Sequence, residues 1–157
     1  MSEQPDCSNN NIETWDELNI DSDLLRGTYA FGFEKPSPIQ SKAIKPMFME
    51  KDLIAQAQSG TGKTGCFTVG TLNNIDFSIS ETQALILAPT HELARQICSV
   101  LENIGKFCKI NVQLLVGGTS VDSDRQKLDK TPPHVVVGTP GRVHDMIRRK
   151  YLRTDKM

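Results

Sequence analysis

The stretch DLIAQAQSGTGKTG, residues 52–65, decides how the rest of the chain is read. Its first five residues, 52–56, are an apolar run of strand length that the pattern predicts as a buried strand. Its last residues open a helical pattern that continues through Phe67, Leu72 and Ile75. Strand, glycine-rich turn and helix in that order are the context in which Gly-Lys-Thr reads as a phosphate-binding loop. Gly60 and Gly62 let the backbone curl so that successive N–H groups point inward, and the helix N-terminus adds partial positive charge. Gln58, Ser59, Gly60, Thr61, Gly62, Lys63 and Thr64 are then the nucleotide-binding candidates. Lys63 would reach the β and γ phosphates, and the Thr64 hydroxyl would face the magnesium that accompanies ATP. Ala57 stands where the general pattern has its first glycine. The competing reading of the same glycines is a plain strand-to-helix connection.

Working outward, the apolar runs ALILAPT (84–90), VQLLVGG (112–118) and HVVVGTP (134–140) end at Gly or Pro and read as further buried strands. Between them Leu93, Ile97, Val100, Leu101 and Ile104 form one apolar stripe at helical spacing, closed by Gly105 as a C-cap. Thr90 and Thr139 sit at N-cap positions, and Pro140 fits the first helical residue. The alternation predicts an α/β fold with a parallel sheet and flanking helices. Residues 1–12 are expected to be a disordered polar tail, 13–51 a helical region and 52–157 the α/β part.

The composition excludes several classes. At 157 residues and 17.4 kDa there is room for one domain. No apolar run approaches the roughly 18 residues of a membrane span, and the N-terminus lacks the basic and apolar segments of a signal peptide. Cys7, Cys66, Cys98 and Cys108 form no C-x-x-C pair and have no histidine at zinc spacing, which suits reduced thiols in the cytosol or nucleus. His134 and His144 read as surface or packing residues. The formal net charge is −1, but residues 1–60 carry 5 Lys/Arg against 10 Asp/Glu and residues 61–157 carry 13 against 9. The basic excess peaks at Arg142, Arg148, Arg149, Lys150, Arg153 and Lys156. A solvated helix face explains such a run as well as a nucleic-acid surface does.

A phosphate loop ordinarily works with an acidic residue at the end of a second strand. Here the strand ends run into Pro89, Gly117 and Thr139, and none presents a carboxylate.

The segments around the loop carry a resemblance. GFEKPSPIQ (32–40), with Trp15 seventeen residues before Gly32, is similar to the Q motif of DEAD-box RNA helicases. AQSGTGKT (57–64) is similar to their phosphate loop, PTHELARQ (89–96) to motif Ia, Gly117-Gly118 to the paired glycines and TPGR (139–142) to motif Ib. LLRGTYAFGFEKPSPIQSKAI and VVVGTPGRVHDMIRRKYLRTDK resemble most closely the members that act in translation initiation, with exon-junction members nearly as good a match.

The resemblance implies an ATP-dependent RNA helicase, with the first RecA-like domain incomplete because the Asp-Glu-Ala-Asp strand would follow Met157. Such a piece is expected to fold poorly and to hydrolyse no ATP by itself. ATP and magnesium are the implied cofactors, with Lys63 and Thr64 the catalytic candidates. Gln40 would read adenine, although Ser37-Pro38-Ile39-Gln40 is also a capping box, and both roles stay open. Trp15 and Phe33 would pack beside the base or simply within a core. Pro89, Thr90, Arg95, Gly118, Thr139, Pro140, Gly141 and Arg142 would meet the backbone of single-stranded RNA, with N-capping by Thr90 and Thr139 equally compatible. His91 replaces the family's usual Arg, and Arg95 one turn on is a candidate compensation. A translation-initiation scaffold protein is the implied partner, with a cytoplasmic location, or a nuclear one for an exon-junction member. The alternatives are a finished non-catalytic binding module and a generic phosphate-loop NTPase. PTHELARQ together with TPGR disfavours the latter.

Overall fold

The computed structural model describes residues 11–157; the expected polar tail at 1–10 and Cys7 lie outside them. The chain divides into two compact units, up to Asn74 and from Ile75 onward.

In the first unit a 3-10 turn at Trp15–Leu18 precedes α1 (Ser22–Ala30), α2 (Pro38–Phe48) and α3 (Lys63–Asn73). Asp21 caps α1 by accepting the Asp23 N–H at 2.8 Å. Helices α2 and α3 approach closely because Gly70 leaves room for Met47; a Cβ at residue 70 would stand 2.5 Å from the Met47 Cε. Leu24, Ile44, Val69 and Leu72 are buried in this unit. Residue 12, expected within the polar tail, packs against this unit. Ile12 is buried, its N–H donates to the Ser41 Oγ at 3.0 Å, and its carbonyl accepts the Ser41 hydroxyl at 2.6 Å.

Residues 52–56 do not form the strand expected of them. The sheet's three strands pair only with each other, and Ile54 is fully exposed. A strand is stabilised by its ladder as much as by its apolar residues, so an apolar run without a pairing neighbour does not become one.

The second unit holds β1 (Ala84–Leu87), α4 (His91–Ile104), β2 (Val112–Leu115), α5 (Val121–Lys130), β3 (Val135–Gly138) and α6 (Pro140–Arg148), with a 3-10 turn at Lys106–Cys108. The sheet is parallel in the order β1-β3-β2, with Leu87 and Leu115 both level with Gly138. All four β3 residues are buried, as a central strand covered on both faces requires. Connection α4 carries the chain past β3 to β2, and α5 brings it back. Right-handed crossovers running in opposite directions put their helices on opposite faces.

One face packs Leu115, Val136, Leu128, Val143, Met146 and Leu152 together. On α4, Ala94, Ile97, Cys98, Leu101 and Ile104 are buried, matching most of the stripe read from sequence, and Gly105 is the C-cap. Because all three strands run the same way, the turns at Pro89–Thr90, Gly117–Gly118 and Thr139–Gly141 emerge at one edge of the sheet.

Candidate functional site

The phosphate loop curls around Gly62. This residue is the N-cap of α3 at φ +95°, a left-handed conformation that disfavours any side chain. Space forbids one as well: a Cβ there would lie 2.8 Å from the Gln40 Nε2. The Gly62 carbonyl accepts the first helical bond, from the Cys66 N–H at 3.0 Å, and a second from the Gln40 Nε2 at 3.1 Å. At its other end the Gln40 Oε1 accepts the Ser37 N–H at 2.8 Å. Gln40 is therefore a strut between the start of α2 and the start of α3, buried to 2% exposure.

The Lys63 ammonium folds onto the loop, donating to the carbonyls of Ala57 and Gln58. The Thr61 hydroxyl donates to the Gln58 carbonyl at 2.7 Å. Gln58, Ser59 and Gly60 are exposed, and Thr61, Lys63 and Thr64 are half-buried. A lysine satisfied only by neutral carbonyls, beside N–H groups at a helix start, suits an incoming polyanion, whose oxygens would draw it more strongly. ATP phosphates fit this cradle. The half-buried Thr64 hydroxyl is the oxygen this loop could offer a magnesium ion, and among the described residues no group of three or more His, Cys, Asp or Glu side chains could hold a metal ion.

Phe33 lies over the first turn of α3, where a Cβ on Gly65 would come within 2.5 Å of its ring. Trp15 stacks on Phe33 at 6.0 Å between centroids and is 0% exposed. A base could reach Phe33 from solvent but not Trp15, so the expected direct contact by Trp15 becomes support from beneath.

The RNA-backbone candidates gather at the strand ends of the second unit. Thr90 caps α4 by accepting the Leu93 N–H at 3.2 Å. Pro89, Thr90 and Arg95 are exposed, as are Gly118, Pro140 and Gly141. Thr139 occupies the cap position of α6, but its hydroxyl takes no capping bond. Its N–H instead donates to the Leu115 carbonyl at 3.0 Å, tying this loop to β2. His91 is exposed, and its imidazole edge lies next to Gly117.

Arg142 departs from the expectation that it faces RNA. Its side chain is only 9% exposed; it forms an ion pair with Asp124, donates to the Thr119 Oγ1 at 2.8 Å and donates to the Thr119 carbonyl at 2.7 Å. Desolvation is the physical reason: a guanidinium drawn this far from water needs its donors satisfied internally. Asp124 and Thr119 were not identifiable beforehand. Asp124 reads in sequence as one of two carboxylates, with Asp122, that favour the first turn of α5, and nothing marks it as the buried one.

Of the basic run, Arg148 and Arg149 both pair with Asp145, at 3.0 and 2.9 Å, on a solvated helix face. Arg149, then Arg148, hold the Asp145 carboxyl below its ordinary value. Burial pushes the Cys66 thiol up to about 11 and the Cys98 thiol up to about 12, so neither is a reactive thiolate. His134 is buried rather than on the surface, and its Nδ1 accepts the Asn111 N–H at 3.0 Å.

A DEAD/DEAH box helicase family profile matches residues 37–157. Two relatives, each named ATP-dependent RNA helicase eIF4A, come from Pyricularia oryzae and Schizosaccharomyces pombe. They are 55% identical over 146 residues and 53% identical over 144. The matches cover 93% and 92% of this chain but only 37% and 36% of the relatives, so the chain spans little more than a third of their length. Among solved structures, a DEAD box protein from Methanococcus jannaschii is similar at TM-score 0.87 and 30% identity, over 94% of this chain and 40% of that one. S. cerevisiae Dbp5 bound to RNA and ADP BeF3 is similar at TM-score 0.82 and 40% identity, over 93% and 37%.

Proposed function

This chain belongs to the DEAD/DEAH box helicase family, and from that premise we propose that it supplies the ATP cradle and part of the RNA-backbone surface of an ATP-dependent RNA helicase acting in translation initiation. The observation that carries the reading is the loop at Gly62, where left-handed backbone, the start of α3 and a lysine held only by carbonyls meet. Lys63 leaves the Ala57 and Gln58 carbonyls for the β and γ phosphates, and the half-buried Phe33 packs beside the base. At 2% exposure Gln40 is first the strut that fixes this loop, and one amide hydrogen and one lone pair beyond those bound to Gly62 and Ser37 are its capacity toward adenine. Magnesium, when bound with ATP, neutralises phosphate charge, and Thr64 is its contact on this chain.

Exposed turns at the strand ends suit single-stranded RNA held by its phosphates and read without sequence. The naming of the relatives as eIF4A supports translation initiation over an exon-junction role, with a cytoplasmic location and a translation-initiation scaffold as partner. No helix among the described residues is long and apolar enough to cross a membrane.

The test is phosphate release from ATP with and without oligo-uridylate, by the full-length protein and its Lys63→Ala variant. Lys63→Ala is expected to lower the RNA-stimulated rate by about 100-fold or more, the scale of losing one strong transition-state contact. The 157-residue chain alone is expected to match that variant, because its strand ends at Pro89, Gly117 and Thr139 present no carboxylate to hold the metal. Equal stimulated rates in the full-length protein with and without Lys63 would refute the nucleotide reading.

A further inference from the structure

Arg142, Asp124 and Thr119 come from three different places in the chain and meet where the buried Arg142–Asp124 pair reaches the exposed Thr119. Arg142 lies in the first turn of α6, directly after the turn at Thr139–Gly141. Thr119 directly follows Gly117–Gly118, and Asp124 lies in the first turn of α5. The side chains of Arg142 and Asp124 are 9% and 4% exposed. One terminal nitrogen of Arg142 is shared between the Asp124 carboxylate and the Thr119 Oγ1, and the other donates to the Thr119 backbone carbonyl. The Thr119 hydroxyl has one proton for the Val116 carbonyl at 3.0 Å or the Asp124 Oδ2 at 3.1 Å, so it closes the cluster from within. A second tie, from the Thr139 N–H to the Leu115 carbonyl, joins the same two strand ends.

We propose that Asp124 is a positioning residue for RNA binding: its ion pair with Arg142, bridged by Thr119, locks the turn after β2 to the turn after β3 so that both present backbone N–H groups to one run of phosphates. The proposal rests on the RNA-backbone reading of these turns and assigns Arg142 an internal role in place of a phosphate contact. The geometry favours this assignment. A guanidinium with three N–H donors committed to a carboxylate, a hydroxyl and a carbonyl, and nearly closed to water, is poorly placed to meet a phosphate. Each turn alone is a short exposed loop, and two such loops bind one strand productively only if their spacing is fixed beforehand.

The two roles of Arg142 make opposite predictions for Asp124→Asn. If Arg142 positions, neutralising Asp124 loosens both turns and RNA binding weakens. If Arg142 is a phosphate ligand held back by Asp124, the same change releases it and RNA binding is unchanged or tighter. The experiment is anisotropy of fluorescein-labelled oligo-uridylate on the full-length protein with a non-hydrolysable ATP analogue, repeated across a salt series. A fluorescent ATP analogue is titrated in parallel.

Asp124→Asn is expected to weaken RNA binding about tenfold, and Thr119→Val several-fold. Both should leave ATP-analogue affinity within about twofold and the slope of log affinity against log salt unchanged. RNA binding by Asp124→Asn that equals or exceeds wild type overturns the proposal, as does a slope reduced by about one phosphate contact in Arg142→Gln. Should Asp124→Asn fail to fold, Thr119→Val decides, because it removes the bridge without stranding a buried charge; undiminished RNA affinity there overturns the proposal. Absence of RNA binding by wild type would refute the RNA reading itself, and the proposal with it.

Discussion

Two glycines three residues apart allow the RNA reading to be separated from the fold. Gly141 is the second residue of α6 and is exposed, and a Cβ built on it meets nothing within 4 Å. Alanine there replaces the costliest helix residue short of proline with the best, which is worth up to about 1 kcal/mol in a helix interior and less in the first turn. Stability should therefore hold or rise slightly. The first helical bond of α6 runs from the Val143 N–H to the Thr139 carbonyl at 3.1 Å, so the N–H groups of Gly141 and Arg142 precede the ladder and point out of the helix end. If a phosphate oxygen is received there, a methyl on residue 141 stands beside it. Loss of one charge-assisted hydrogen bond costs about 1.5–3 kcal/mol, or at least about tenfold in affinity. Gly141→Ala should thus bind oligo-uridylate about tenfold more weakly while melting no lower than wild type. Gly138→Ala is the contrasting control. Its Cβ would lie 2.3 Å from the Leu115 carbonyl oxygen and 2.6 Å from the Val143 Cγ2, so β2 and β3 must part at the level of their last pair. That combines overpacking with strained ladder bonds and should cost about 2–4 kcal/mol. Differential scanning fluorimetry and RNA anisotropy on the two variants suffice. Unchanged RNA affinity in Gly141→Ala refutes approach of the strand to this turn, and an unchanged melt in Gly138→Ala refutes the sheet geometry.

Gln40→Glu keeps an acceptor for the Ser37 N–H but turns an oxygen toward the Gly62 carbonyl, where Nε2 now donates. A loss of about 1–3 kcal/mol in stability and weaker ATP binding are expected; a variant that melts and titrates with ATP like wild type would show that the strut has no effect. Burial holds His134 below the ordinary histidine value, so the folded chain keeps it neutral where the unfolded chain takes a proton. Its contribution is then fully present above about pH 6.5 and declines as the pH falls from there toward the depressed folded value. Denaturant midpoints from about pH 7.5 to about pH 5.5 should fall more steeply for wild type than for His134→Gln; parallel curves would remove His134 from the account.

The elements legible in the sequence were those whose signal is local. The valine run at 135–137 and the apolar stripe of α4 needed only spacing to be recognised, and their burial follows the pattern. Ser37 and Gln40 could be paired by their three-residue separation, and the Gln40 half of that box is present. What escaped depends on partners far along the chain. Residues 52–56 carry strand composition, yet strand formation depends on a neighbouring ladder that composition does not encode. Arg142 ends a motif that reads as anion-binding, while its partner Asp124 sits eighteen residues earlier and looks like an ordinary helix-start carboxylate. Trp15 and Phe33 stack on each other, a pairing their separation of eighteen residues does not announce, and packing decides which of the two is closed to solvent.

The strand order has a consequence for how the second unit is made. β3 is last of the three in the chain but central in the sheet, so β1 and β2 leave the ribosome as a pair that cannot bond to each other in the native arrangement. Each must wait with an open edge until residues 135–138 emerge and slide between them, paying loop closure before any ladder forms. Synthesis at about 5–20 residues per second leaves β2 unpaired for about one to several seconds. During that interval the inner edges of both strands are open to chaperones or to a neighbouring nascent strand.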